Sequence, residues 1–319
     1  MKNVLVLGAN GFIGQHLVSQ LLGKVNVIGY GKTVPPICKC SEFIQGDFTT
    51  DTRFENLLRK YHIEVVYHLI STTIPVEGTR NAFQELEENV IPTVRFLEAM
   101  KNAGTAQIIF ASSGGTVYGE SNGYAHRCTD ALHPICSYGI QKTTIEQYMQ
   151  LYEVSFGMDC VIARISNPYG VFPQHDRTQG IIPIFLQRLL RRQPITLYGE
   201  TIRDYIFISD AVDALLKLMA YRGDQRIFNI GSGIPTGLHH LAEMLEEATQ
   251  RKFVEIREFP IRSCDVRESV LDITETKKEL DWEPKVSLSD GIRKTLKQIS
   301  LLEQSDQERL IYSGSKECR

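Results

Sequence analysis

A chain of 319 residues, 42% hydrophobic and 23% charged, carries enough apolar material for a large core, which excludes disordered and fibrous classes. Its net charge of -3 and pI near 6.3 give no electrostatic basis for nucleic acid or an anionic membrane as partner, while small anions stay open because a few local arginines suffice for them. Seven cysteines, at 38, 40, 128, 136, 160, 264 and 318, are odd in number and scattered, with neither a disulfide framework nor a zinc-like spacing. They are expected to be free thiols in a reducing cytoplasm, and no metal site is expected.

The N-terminus MKNVLVLGAN runs from one lysine into a strand and glycines, which is not the pattern of a signal peptide. Apolar strand-like runs then alternate with helical patterns: NVLVLG (3–8), FIGQHLVSQLLG (12–23), NVIGY (26–30), EVVYHLI (64–70), NVIPTVRFLEAMKNAG (89–104), AQIIFAS (106–112) and MDCVIARI (158–165). Continuous apolar strands spaced by helices predict a parallel sheet covered on both faces. Beyond about 171 the pattern loosens around Pro173, Pro183 and Pro194, before helical patterns at DAVDALLKLMAY (210–221) and GLHHLAEMLEEATQ (237–250). The run IIPIFLQRLL (181–190) is too short to span a bilayer and is interrupted by Arg188, and RLLRR (188–192) reads as a solvated helix face. The expected organisation is α/β: a Rossmann-type, doubly wound parallel-sheet domain over 1–170 that binds a nucleotide, and a smaller C-terminal substrate-binding lobe over 171–319 with elements free to cross back.

Gly8, Gly11 and Gly14 follow the first strand and open the first helix, where glycines permit a tight turn and let backbone N–H groups approach a pyrophosphate. Their G-x-x-G-x-x-G spacing departs from the G-x-G-x-x-G fingerprint, and a turn that only packs strand on helix has the same look. Tyr138 and Lys142 stand four apart in the helical pattern SYGIQKTTIEQYM, so both project from one face. An ammonium beside a phenol, whose ordinary pKa is about 10, favours the phenolate and so makes a usable acid or base nearer neutrality. Between these two motifs lies IIFASSGGTVYGE (108–120), an apolar strand that breaks into serines, glycines and a threonine.

Glycine turn, strand ending in SS, and Y-x-x-x-K occur in order, followed by ISNPYG (165–170), RDYIF (203–207), FNIGSG (228–233) and DVRESVLDI (265–273). With these, GDF (46–48), HLISTT (68–73) and TVYG (116–119), the chain resembles, over nearly its whole length, the extended short-chain dehydrogenase/reductase family of nucleotide-sugar epimerase/dehydratase type. Within it the likeness is to UDP-glucose and UDP-N-acetylglucosamine 4-epimerases. The resemblance implies that Tyr138 exchanges the proton of the sugar C4 hydroxyl and that Lys142 binds the nicotinamide ribose and lowers the tyrosine pKa. It places the cofactor against Gly8, Gly11, Phe12, Ile13 and Gly14, against Leu69 and Ser71, against Asn89, and against Asp47 and Phe48, which match a pair that holds adenine. On the substrate side it implies that Arg203 and Arg262 grip the diphosphate, that Tyr198 packs against the base, and that Asn167 makes a polar contact. Ser269 stands where narrow-range epimerases carry a bulky aromatic beside C2 of the hexose, so the resemblance implies a pocket open to a 2-acetamido group. A homodimer through the helices near 90–103 and 138–156 is also implied.

Two departures from the family pattern matter. The family places a serine or threonine two residues before Thr116, and here that position is Gly114; Ser113 and Thr116 are the hydroxyls left to meet the sugar O4, with Ser113 favoured. The residues near 116 include no carboxyl and no cysteine, which disfavours dehydration and leaves a C4 redox cycle. At the end of the second strand Gly31, followed by Lys32, replaces the usual acidic residue that binds the adenosine ribose, so NAD is expected with NADP also admissible. The expected activity is therefore an NAD(P)-dependent nucleotide-sugar 4-epimerase. The alternative readings are a reductase of a nucleotide-linked 4-keto-6-deoxy sugar and a non-catalytic nucleotide sensor on the same fold.

Overall fold

The computed structural model describes residues 1–34, 39–73, 82–121, 123–171 and 180–314. In chain order its first half runs β1 (Asn3–Leu7), α1 (Phe12–Leu21), β2 (Asn26–Gly31), β3 (Glu42–Gln45), α2 (Phe54–Lys60), β4 (Val65–His68), α3 (Ala82–Glu85), a π-helical turn (Leu86–Val90), α4 (Ile91–Ala103), β5 (Gln107–Ser113), α5 (Ser137–Phe156) and β6 (Asp159–Ile165). The second half runs β7 (Asn167–Tyr169), α6 (Ile181–Leu190), β8 (Ile195–Tyr198), β9 (Ile202–Phe207), α7 (Ile208–Ala220), β10 (Ile227–Ile230), β11 (Pro235–Gly237), α8 (Leu238–Thr249), β12 (Ile256–Phe259), β13 (Glu268–Ser269), α9 (Thr274–Leu280) and α10 (Leu288–Gly314).

Seven strands form one parallel sheet in the order β10-β6-β5-β4-β1-β2-β3. Alternate residues of each strand serve opposite faces: Val4, Val6, Tyr67 and Ile109 join one core cluster, and Leu5, Leu7, Val66, Ile108 and Phe110 the other. The order reverses between β1 and β4, and a sheet of this kind binds its ligand beyond the C-terminal strand ends at such a point. The turns after β1, β4 and β5 carry Gly8, Leu69 and Gly114, so three of the expected site segments meet at one edge. Helix α4 starts with Pro92 in its first turn and stops at Gly104, whose φ of 74° is a left-handed cap; α5 stops in the same way at Gly157, φ 68°.

The expected boundary near 170 is crossed, because β10 returns to pair with β6 at the edge of the main sheet. The loosened region is also more regular than its pattern suggests. A four-stranded sheet joins β7, β9, β11 and β13, and β8 pairs with β12. Pro183 lies in the first turn of α6 rather than in a loop, where its missing N–H deprives no carbonyl of a partner. Arg188 is on that helix as expected, but Leu189 beside it is buried, so RLLRR is only partly a solvated face. Pro173 is outside the described residues. No helix among the described residues is long and apolar enough to cross a membrane.

Beneath the site edge lies a buried ion pair that joins α5 to β6. The Arg164 guanidinium bonds the Glu146 carboxylate at 2.7 Å, with both side chains almost fully enclosed. The same arginine donates to the Tyr118 hydroxyl at 2.8 Å and to the Cys128 carbonyl at 3.1 Å, and Tyr118 donates to Asn229 at 2.7 Å. Truncating one partner of such a pair strands the other charge in the core. Glu146→Ala is expected to lower unfolding stability by about 3–5 kcal/mol, read by denaturant titration, and a loss under about 1 kcal/mol would show that water or a second partner reaches Arg164.

Candidate active site

The glycine turn is built by close approach. Gly8 takes φ 84°, and a Cβ at Gly14 would lie 2.0 Å from the Gly8 carbonyl oxygen, so α1 reaches the strand end only without that atom. Helix α1 begins at Gly11 with no side-chain cap, which leaves its first N–H groups for an anion. A cleft of about 610 Å³ opens from this turn. It is lined by Gly8, Gly11, Phe12, Ile13 and Gly14, then by Leu69 and Ser71, then by Ser113, Thr116 and Tyr138, and at its far end by Asn167, Tyr198, Arg203 and Arg262. A helix N-terminus without a side-chain cap, opening onto the cleft, suits the pyrophosphate of a dinucleotide.

Tyr138 and Lys142 occupy one face of α5, as the spacing predicts. The helix comes in close because Gly139 carries no side chain: a Cβ there would be 2.5 Å from the Thr116 carbonyl oxygen and 2.8 Å from Pro134. Ser137 and Gln141 are held by the buried Glu85 at 2.6 and 3.2 Å, and Gln141 also reaches Thr73 at 2.8 Å. The Lys142 ammonium donates to the Ala111 carbonyl at 2.9 Å and stands 5.6 Å from the Tyr138 ring centroid. Burial pulls Lys142 down to about 8 and pushes the Tyr138 hydroxyl up to about 12, against a hydrogen bond with Ser71 that favours the phenolate. The expected drop of the tyrosine toward neutrality is therefore not what the protein alone displays, since desolvation outweighs its polar neighbours.

The substitution of glycine at 114 has a geometric explanation. A Cβ at that position would lie 2.5 Å from Leu271 Cδ1, so residue 114 faces the core and not the cleft. Ser113, the last residue of β5, lines the cleft, and so does Thr116, whose Oγ1 is buried without a hydrogen-bond partner among the described residues. Gly115 leaves the space beside Asn167 open, and Asn167 donates to the Asp204 carbonyl at 2.9 Å.

At the far end Arg203 lines the cleft while anchoring its rim, donating to the carbonyls of Val266 at 2.6 Å and Arg267 at 3.1 Å. Arg262 bonds Asp265 through Nε at 2.7 Å and lies 4.6 Å from the Tyr198 ring centroid, which in turn stacks on Phe259 at 5.8 Å. Burial lowers the Arg203 pKa, so this cation is under-solvated and suited to an anion.

Several expected contacts lie elsewhere. Ser269 is buried and donates to the Gly114 carbonyl at 3.3 Å; it does not line the cleft, because β13 pairs with β9 behind the rim, and the 2-acetamido argument built on it falls away. Asn89, in the π-helical turn, is enclosed and bonds Thr72 N–H at 3.0 Å and the Thr72 hydroxyl at 2.8 Å, so it supports the Ser71 loop instead of lining the cleft. The Phe48 ring packs into an aromatic cluster with Phe54, His68 and Phe96. Lys32 is not a free cation, since it pairs with Asp47 at 2.9 Å. Gly139, Glu85, Glu146 and Arg164 were not legible as supports. A glycine directly after Tyr138 was the one available signal, because a helix interior disfavours it.

Residues 4–231 match the model of the NAD dependent epimerase/dehydratase family. The dTDP-4-dehydro-6-deoxyglucose reductase of Escherichia coli is 34% identical over 310 residues, covering 93% of this chain and 98% of that protein. The UDP-glucose 4-epimerase of Thermotoga maritima, solved with UDP-glucose, superposes with a TM-score of 0.88 at 32% identity, over 94% of this chain and 99% of that one. The UDP-glucose 4-epimerase of Thermus thermophilus, solved with NAD, has a TM-score of 0.85 at 28% identity, over 92% and 98%. With the glycine turn, Tyr138 and the arginine end in one cleft, the chain belongs to the NAD-dependent epimerase/dehydratase family.

Proposed function

We propose that the protein is a nucleotide-sugar 4-epimerase acting on a UDP-hexose through a transient 4-keto sugar. The observation that carries this reading is the continuity of one cleft from the glycine turn, past Tyr138 and Ser113, to Arg203, Arg262 and Tyr198. Gly8, Gly11, Gly14, Leu69 and Ser71 hold the dinucleotide, and Arg203 and Arg262 hold the sugar's diphosphate while Tyr198 takes the base. NAD supplies, when bound, an acceptor for the C4 hydride that also returns it. Tyr138 takes the O4 proton as the C4 hydride leaves and gives it back as the hydride returns to the opposite face, so proton and electron pair balance over the cycle. Burial opposes the phenolate that step needs, and the hydrogen bond with Ser71 favours it. Ser113 orients O4, and Thr116 Oγ1 meets a sugar hydroxyl.

The neighbouring UDP-glucose 4-epimerases support the epimerase reading, while the 34%-identical reductase supports the alternative, net reduction of a 4-keto-6-deoxy sugar by the same residues. The thiols of Cys128, Cys136, Cys160 and Cys264, which form no disulfide among the described residues, fit a cytoplasmic location; Cys38 and Cys318 are outside the described residues. Exposed Ile91 on α4, with Ile140, Tyr148 and Leu151 on α5, supports a homodimer through these two helices.

The deciding experiment is incubation of the purified protein with UDP-glucose or UDP-galactose and no added cofactor, followed by chromatography of the sugars. Interconversion at C4 is expected; a demand for stoichiometric reduced cofactor and a keto-sugar substrate would replace this reading with the reductase. Tyr138→Phe should cut turnover by about 10²–10⁴-fold with sugar-nucleotide affinity nearly unchanged, and a variant keeping half the rate rules Tyr138 out as the acid–base group. Ser113→Ala should lower kcat by about tenfold, the scale of one hydrogen bond, and by more than Thr116→Ala; equal effects would remove the distinction drawn between them. Sedimentation should give a dimer that Leu151→Asp converts to monomer, and a monomeric parent protein overturns the assembly.

A further inference from the structure

The rim beside the glycine turn differs from the usual way of reading the adenosine ribose, and the reason is visible in the packing. In sheets of this kind an acidic residue ending the second strand bonds the ribose 2'-hydroxyl, and its charge repels a 2'-phosphate. Here β2 ends in Gly31, and a Cβ at that position would lie 2.6 Å from Asn10 Oδ1. The Asn10 amide fills that space and is fixed there by donating to the Thr33 carbonyl at 2.6 Å and the Thr33 hydroxyl at 2.8 Å. No carboxylate fits at 31 while Asn10 keeps this place. The neighbouring cation, Lys32, stands at the end of the same strand, where a 2'-phosphate would attract it.

Lys32 is instead engaged from β3's side of the edge. Gly46 N–H bonds the Gly31 carbonyl at 3.1 Å and Gln45 donates to the Lys32 carbonyl at 3.1 Å, which brings the residue after Gly46 up to the strand end. That residue is Asp47, whose Oδ2 meets the Lys32 ammonium at 2.9 Å while Oδ1 accepts from the Thr49 hydroxyl at 2.8 Å and the Thr49 N–H at 3.1 Å. The Thr49 bonds orient the carboxylate, so the lysine comes to a fixed acceptor. We propose that Asp47 is the residue that sets cofactor preference in this chain: by holding Lys32 it withholds the cation at the strand end that would bind a 2'-phosphate, doing from just beyond the third strand what a carboxylate at 31 does in other sheets.

The inference rests on the dinucleotide reading of the cleft, and its test is binding without turnover. The full chain, freed of copurified nucleotide, is titrated with NADH and with NADPH by nicotinamide fluorescence in the absence of sugar nucleotide. The parent protein should prefer NADH. Asp47→Asn should shift the ratio of the two dissociation constants toward NADPH by about tenfold, because the released ammonium makes a charge-assisted bond that NADH cannot use. Adding Lys32→Ala to Asp47→Asn should cancel the shift, and raising the salt should shrink it in the single variant, since both charges are exposed. A ratio that Asp47→Asn leaves unmoved, or a shift that persists without Lys32, overturns the proposal while leaving the cleft's assignment standing. Failure of both dinucleotides to bind the parent protein overturns that assignment and this inference together.

Discussion

The site depends on one packing contact, the seating of the α5 N-terminus against the end of β5. Gly139 lets the helix backbone come within reach of the Thr116 carbonyl, and three tethers hold it there: Lys142 on the Ala111 carbonyl, Glu85 under Ser137 and Gln141, and Glu146 on Arg164. The tethers differ in kind. Glu146 and Arg164 neutralise one another out of water, a geometry that stabilises the pair only because their remaining bonding positions are met by Ser112, Tyr118 and Cys128. Lys142 bonds the Ala111 carbonyl, and burial lowers its pKa against the charge of Glu146.

Strand β9 shows how the second half of the chain serves the same edge. Arg203 and Asp204 are consecutive and so point to opposite sides of the strand. Arg203 lines the cleft, whereas Asp204 is fully enclosed and accepts from Ser232 N–H at 2.7 Å, the Ser232 hydroxyl at 2.7 Å and Gly233 N–H at 3.1 Å. One dipeptide thus puts a cation in the cleft wall and pins the loop after β10 to the small sheet. Thr116 Oγ1, in the cleft wall, is buried without a hydrogen-bond partner among the described residues, as are polar atoms of His68, His126 and Thr276 away from the cleft.

The elements of the parallel sheet were legible because strands buried on both faces read as unbroken apolar runs, and because Tyr138 and Lys142 share a helical face at any docking angle. The glycine turn was legible for a steric reason: few residues other than glycine tolerate the approach at Gly14. The misplaced residues share a different property. Ser269, Asn89 and Phe48 were placed by their distance along the chain from a motif, which is no guide to which way a side chain turns. Ser269 faces Gly114 because β13 pairs with β9, a long-range register that nothing local specifies. Lys32 left NADP admissible in the sequence because its partner, Asp47, comes from just beyond β3, fifteen residues away.

By itself, then, the sequence determined the class of fold, the glycine turn and the tyrosine–lysine pair, since these rest on periodicity and on steric limits that act within a few residues. Tertiary structure alone decided that both Ser113 and Thr116 reach the cleft while position 114 faces the core, which polar residues support it from behind, and whether a charge at its rim is free or paired. Those outcomes depend on strand register and on side chains brought together across tens of residues, and a glycine at 114 or a lysine at 32 has no fixed meaning until Leu271 and Asp47 are in place beside it.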